Sequence, residues 1–318
     1  VTATPHGINP DLEGVGPFPR IRQLQAARAA RDWVTIRQII DAHPSSDDRY
    51  VAVDVAGGVG DEEFYRAVVA ANPGDPLALV LLGETLLKTG WEIRGAGWAN
   101  QVKQQQFERF HEYLRQAEAV LIEATAIQPE RAEAWTVRLN AARGLQLDIA
   151  EARRRYAHAA RYEPNAVVAQ RSLLQKLLPK WSGSWEQAAA FARGCAAQAQ
   201  AQALDGAANV LLIADLHVER LLDLPADQHP GYLALPQVRA EILAAARSGP
   251  LHAQFRPGLL WKGAYNTFAL LLALVGETAA AGHCFRTLDG HASEYPWAYF
   301  GDPVQQFVSY RDRTLARA

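Results

Sequence analysis

The sequence predicts an all-α protein of antiparallel helix pairs, and three observations carry that prediction. Alanine-rich segments with few β-branched runs favour close-packed helices over sheets. Apolar residues recur at steps of three and four, as at Phe110, Leu114, Ala117, Leu121 and Ala124. Residues 131–165 then read as two helices bracketed by Gln128-Pro129-Glu130 and Glu163-Pro164-Asn165, a spacing of about 35 residues. A two-helix unit of that length cannot bury its apolar face alone, so it implies stacked neighbours and an α-solenoid.

Each element follows from local grammar. Residues 1–19 hold Pro5, Pro10, Pro17 and Pro19 with several glycines and read as an irregular arm. Helices are expected over 21–31 and 33–41, then from the cap residues Ser45, Ser46 and Asp47 toward Ala56, where Gly57-Gly58 breaks the chain. Asp61, Glu62 and Glu63 complement the positive end of the next helix. Leu77–Thr89 follows a proline start and meets a glycine stop at Gly90. The segment Gly90–Gln106, with Trp91 and Trp98, reads as an insertion looping out of a repeat. A long amphipathic helix spans 107–126, the two-helix unit follows, and 166–178 opens another that Pro179 ends. Further helices are expected over 187–204, 207–222, 237–246, 259–274, 278–288 and 303–316. Residues 20–290 thus form one helical-repeat domain, with a subdivision placed near 179–185, and 291–318 form a C-terminal capping segment.

Trp135 and Leu139 on the first helix, Tyr156 and Ala159 on the second, and the Glu163-Pro164-Asn165 turn resemble the tetratricopeptide repeat family. The match covers about 35 residues, with weaker echoes at 75–89 and 166–178. Asn140-Ala141-Ala142-Arg143 departs from the family's usual first-helix ending, with Gly144 standing in for it. The resemblance implies an irregular tetratricopeptide-like superhelix and a surface that binds peptides or partner proteins.

Composition narrows the function. A formal charge of -2, with no lysine or arginine block, weighs against an electrostatically driven nucleic-acid surface. The densest basic run, Arg153-Arg154-Arg155, reads as solvated helix surface beside Glu151. The longest apolar run, Phe268–Val275, is too short to span a bilayer. Cys195 and Cys284 form no metal spacing and read as buried thiols in a reducing compartment. With no basic segment and apolar core near residue 1, the expectation is a cytoplasmic chain without membrane contact. No cofactor or metal is expected.

The least ordinary local sequence is Pro179–Glu186, where Trp181 and Trp185 flank a flexible Ser-Gly-Ser link and Lys180 can meet a carboxylate. Trp91, Arg94 and Trp98 form a second candidate rim. Each set reads equally as loop packing. His111, near Glu108, Glu112 and Arg115, and His217, near Asp215 and Glu219, are the acid–base candidates, but spacing supplies no pocket. His283 and Cys284 diverge by about 100° on a helix, so Cys284 reads as a core thiol rather than a nucleophile. Three functions follow: a noncatalytic peptide- or protein-binding scaffold, an all-helical enzyme acting on a small molecule through a histidine, and a homo-oligomer joined by its tryptophan loops. The first is favoured, because no coherent chemical motif accompanies the repeat.

Overall fold

The computed structural model describes residues 18–95, 102–202, 204 and 206–317. Among them every regular element is helical and no strand occurs. No helix is long and apolar enough to cross a membrane. The chain divides into two compact units, Phe18–Trp185 and Glu186–Ala318. Trp98 and the arm over 1–17 lie outside the described residues.

The first unit holds α1 (Pro19–Ala29), α2 (Trp33–Asp41), α3 (Ser46–Ala56), α4 (Glu62–Ala71), α5 (Pro76–Arg94), α6 (Gln104–Ile127), α7 (Ala132–Gly144), α8 (Ile149–Tyr162) and α9 (Val167–Leu177). Side-chain caps start several of them by satisfying orphan backbone N–H groups. Ser45 accepts from Asp48 N at 3.1 Å, Asp148 from Glu151 N at 2.7 Å, and Asp75 from Leu77 N at 3.0 Å.

Gly90 does not stop α5. The helix runs on to Arg94, so Trp91 and Arg94 are helical residues rather than the start of a loop. Gly90 is a packing glycine: a Cβ there would stand 2.6 Å from the Leu114 side chain on α6. The true stop is Gly95, whose φ of 72° lies in the left-handed region that glycine adopts without strain.

Helices α5, α7 and α9 lie side by side, each packed on the next, with α6 and α8 filling the sequence between them as antiparallel partners. Helix α3 packs against all three. A continuous ion chain ties α2 and α3 to the N-terminal ends of that layer. Arg37 pairs with Asp75 and Asp41, Asp41 with Arg131 at 2.9 Å, and Arg131 with Glu133 at 2.8 Å. Arg49 of α3 then spans Glu133 at 3.1 Å and Glu163 at 2.7 Å. The caps are reciprocal: Asp47 accepts from Val167 N and Val168 N at 3.0 and 2.8 Å, while Glu163 accepts from Ser46 N at 2.8 Å.

The repeat residues Trp135, Leu139, Ala152 and Ala159 are buried between α7 and its neighbours. Trp135 stacks on His158, and its Nε1 donates to the Pro129 carbonyl at 2.9 Å. The basic run is not uniformly solvated. Arg155 is buried, with its guanidinium on Glu118 at 2.9 Å and Glu151 at 2.7 Å, and Arg138 joins Glu118 at 2.6 Å. Arg154 pairs with Glu151 on the outside. Position on the helix sorts these neighbours, since successive residues point about 100° apart.

The second unit holds α10 (Trp185–Ala201, whose first residue closes the first unit), α11 (Leu211–Asp223), α12 (His229–Leu233), α13 (Pro236–Ser248), α14 (Trp261–Leu274), α15 (Thr278–Leu288), α16 (Glu294–Trp297) and α17 (Pro303–Leu315). Helix α14 is its hub, packing on α11, α13, α15, α16 and α17. Trp297 is fully buried among Phe285, Phe307 and Tyr310, and its Nε1 donates to Asn266 Oδ1 at 2.7 Å. The last segment is therefore part of this unit's core.

Candidate functional site

A cleft of about 540 Å³ opens in the first unit where α5 passes α7. Glu84, Leu87, Lys88, Trp91 and Glu92 of α5 line one side, and Asn140 and Arg143 of α7 line the other. Their spacing explains the wall: residues 84, 88, 91 and 92 of α5 and 140 and 143 of α7 recur at helical steps of three and four, so each helix offers one stripe.

The wall is polar at one end and aromatic at the other. At the polar end Glu84 is only 2% exposed and its Oε2 makes no hydrogen bond. Burial, aided by Asp54 and opposed by Lys88, raises its carboxyl to about 7. Lys88 sits 3.9 Å from Glu84, but it donates to the carbonyls of Asp54 and Gly57 and pairs with the Asp54 carboxylate at 2.8 Å. Asn140 donates to the Tyr50 hydroxyl at 2.9 Å, and burial holds that phenol well above its ordinary value.

At the aromatic end the sequence candidates meet. Trp91 and Trp181 stand edge to face with ring centroids 6.3 Å apart. The Arg143 guanidinium lies 5.8 Å from each indole, and Arg94 lies 5.6 Å from Trp91. Phe110 supports Trp91 from α6 at 4.8 Å. Trp91 and Trp181 are 90 positions apart in sequence, so their pairing was not legible there. Arg143 carries no site signal in the sequence, because a basic residue in the last turn of a helix also fits the helix dipole.

The Pro179–Glu186 segment is built differently from the flexible link expected. Pro179–Trp181 form a 3-10 turn, Ser182 takes a left-handed φ of 77°, and α10 begins at Trp185. Gly183 lies against the Leu177 carbonyl, where a Cβ would come within 1.9 Å of the oxygen. The turn is thus fixed by backbone contact. Trp181 and Trp185 are half-buried and Lys180 is exposed.

The histidines fall elsewhere. His111 packs on Phe107 and Phe110, its Nε2 is buried without a hydrogen bond, and Glu108 instead accepts from Gln104 at 2.9 Å. His217, in the second unit, is buried between two partners. Its Nδ1 meets the Tyr232 hydroxyl at 2.7 Å, and its Nε2 stands 3.2 Å from Glu241 Oε2. Arg193 binds Glu241 with two contacts of 2.6 and 3.0 Å. His217 and Arg193 together push the Glu241 carboxyl down to about 2. Asp215 faces away from this line and accepts from Tyr295 at 3.1 Å. Burial pushes the Cys284 thiol up to about 12, the opposite of an activated nucleophile. Among the described residues no group of three histidines, cysteines or carboxylates is placed to hold a metal ion. No family model matches the chain, and no curated protein matches it in sequence.

Proposed function

We propose that this protein is a noncatalytic recognition scaffold of tetratricopeptide-like helices, capturing a peptide or a segment of a partner protein in the α5–α7 cleft. The observation that carries this reading is the convergence of Trp91, Trp181 and Arg143, from three separate parts of the first unit, beside an open cavity. Half-buried aromatic rings held by neighbours lose little entropy on binding, and tryptophan and arginine are among the residues enriched at interface hot spots. The side-by-side packing of α5, α7 and α9 supports the repeat geometry, because it keeps the residues of one helix stripe next to those of the following one.

The enzyme alternative has one observation in its favour. Glu241, the carboxylate facing His217, lines a cavity of about 370 Å³ in the second unit. The lining stops short of His217, and burial raises the Tyr232 phenol to about 12 rather than activating it. That chain of groups reads better as a structural pin running from buried His217 to exposed Arg193.

The test is selection of a displayed random-peptide library on the intact chain, followed by calorimetric titration of the recovered peptides. Trp91→Ala and Trp181→Ala are expected to weaken binding at least about tenfold, the scale of a hot-spot side chain. Peptides that bind both variants as tightly as the parent would remove the cleft from the recognition surface.

A further inference from the structure

We infer that the cleft is selective for a basic peptide segment, whose cationic side chains meet Glu84 and Glu92 while an apolar side chain between them packs on Leu87 and Trp91. This rests on the recognition reading and names what is recognised.

The charges lining the cleft are of both signs, but they are not equally engaged. Lys88 is held by the Asp54 carboxylate at 2.8 Å and donates to the carbonyls of Asp54 and Gly57. Arg143 lies 5.8 Å from each of the Trp91 and Trp181 rings. The acids are less well met. Glu84 is 2% exposed, its Oε2 makes no hydrogen bond, and Lys88 stands 3.9 Å from its other oxygen. Glu92 is exposed, and its carboxylate has no ion pair or hydrogen bond among the described residues. The unmet demand along this wall is therefore for positive charge.

Spacing decides what meets it. Glu84, Lys88 and Glu92 recur at steps of four on α5, so the two acids share one stripe, about 12 Å apart along the axis. An extended segment advances roughly 10 Å in three residues, which brings two basic side chains three positions apart within reach of both acids. Leu87 and Trp91 line the same wall between the acids and take the intervening apolar side chain.

The buried acid adds a thermodynamic signature. Glu84 is acted on by Lys88 of its own helix and by Asp54 of α3, it acts in turn on Tyr50 of α3, and Asn140 and Arg143 of α7 line the cleft with it. Burial, opposed by Lys88 and aided by Asp54, raises its carboxyl to about 7. An arriving cation favours the carboxylate, so binding releases a proton around neutral pH. An arriving carboxylate has the opposite effect.

Three synthetic peptides of equal length test this, with repeating Phe-Lys-Ser, Phe-Gln-Ser and Phe-Glu-Ser sequences, titrated calorimetrically into the intact chain. The lysine peptide is expected to bind at least about tenfold tighter than the glutamine peptide, and the glutamate peptide weakest. At pH 7, buffers of different ionisation enthalpy should reveal release of up to about half a proton per lysine peptide. Glu92→Gln, at an exposed position where folding is not at stake, should reduce the preference in part. Glu84→Gln should reduce it further and abolish the proton release, with unchanged circular dichroism for both variants. Equal binding of the lysine and glutamine peptides overturns the charge selectivity but leaves recognition standing if Trp91→Ala weakens both. Tighter binding of the glutamate peptide, or a lysine preference that survives both substitutions, overturns it as well. If none of the three binds while a library-selected peptide does, the charge selectivity falls alone. If no peptide of either kind binds, the recognition reading falls with it.

Discussion

Glu118 holds two guanidiniums at once, Arg138 at 2.6 Å and Arg155 at 2.9 Å, with both arginines buried. Burying such charges is costly, but once they are buried, deleting the shared anion takes from Arg138 its carboxylate in low dielectric and leaves Arg155 with Glu151 alone. Glu118→Ala is therefore expected to lower unfolding free energy by about 3 kcal/mol, a large share of a typical domain's stability. Urea denaturation followed by circular dichroism measures it, and a loss under about 1 kcal/mol would show that water reaches the cluster. The sequence placed Arg155 on a solvated face. A helix pattern tells which residues share a stripe, but not whether a charged stripe will find a partner from a helix 37 residues away. Trp135 and Leu139 were legible because large apolar side chains in a repeat register have one sensible destination.

Helix α3 carries at its N-terminal end an acid with a raised titration. Burial lifts the Asp47 carboxyl to about 6, with repulsion from Glu163 and Asp48 adding to it and the two N–H donors opposing it. A folded-state value above the unfolded one means the native state binds more protons between pH about 4 and 6. The contribution is thus most favourable below that window and is lost as pH rises through it. Over that interval the slope should amount to roughly 2–3 kcal/mol at most, at 1.36 kcal/mol per unit. Asp47→Asn should flatten that part of the stability profile, as read by denaturant midpoints at several pH values. An unchanged slope would place the titration elsewhere. Helix existence was read well from caps and periodicity, including Ser45 and Pro76. Helix ends were read less well, because Gly90 and Gly95 look alike in sequence and differ only in what surrounds them.

For the chain as a whole, the structure offers two separately cored units, and their cores report on different events. In the second unit Cys284 is fully buried beside Phe285 and Leu288, with its thiol pushed up to about 12. In a Cys195→Ser background it is expected to be silent toward a disulfide reagent in native buffer and to react once in strong denaturant. The rate should follow opening of residues 186–317. Prompt native reaction would show that this core breathes far more than its packing implies. Residues 291–318, a capping segment in the sequence reading, bury Trp297 fully against Phe285 and Phe307 in this unit.

The sequence by itself determined the helices, most of their starts and the apolar stripe each one buries. These are local matters of propensity, capping and period, decided within a few residues. Only tertiary structure decided that Trp91, Trp181 and Arg143 share one cleft, that Glu84 lies buried in its wall and that α3 packs across α5, α7 and α9. Those are meetings of residues tens of positions apart. Which stripe faces which is set by how whole helices pack, a choice that no local pattern encodes.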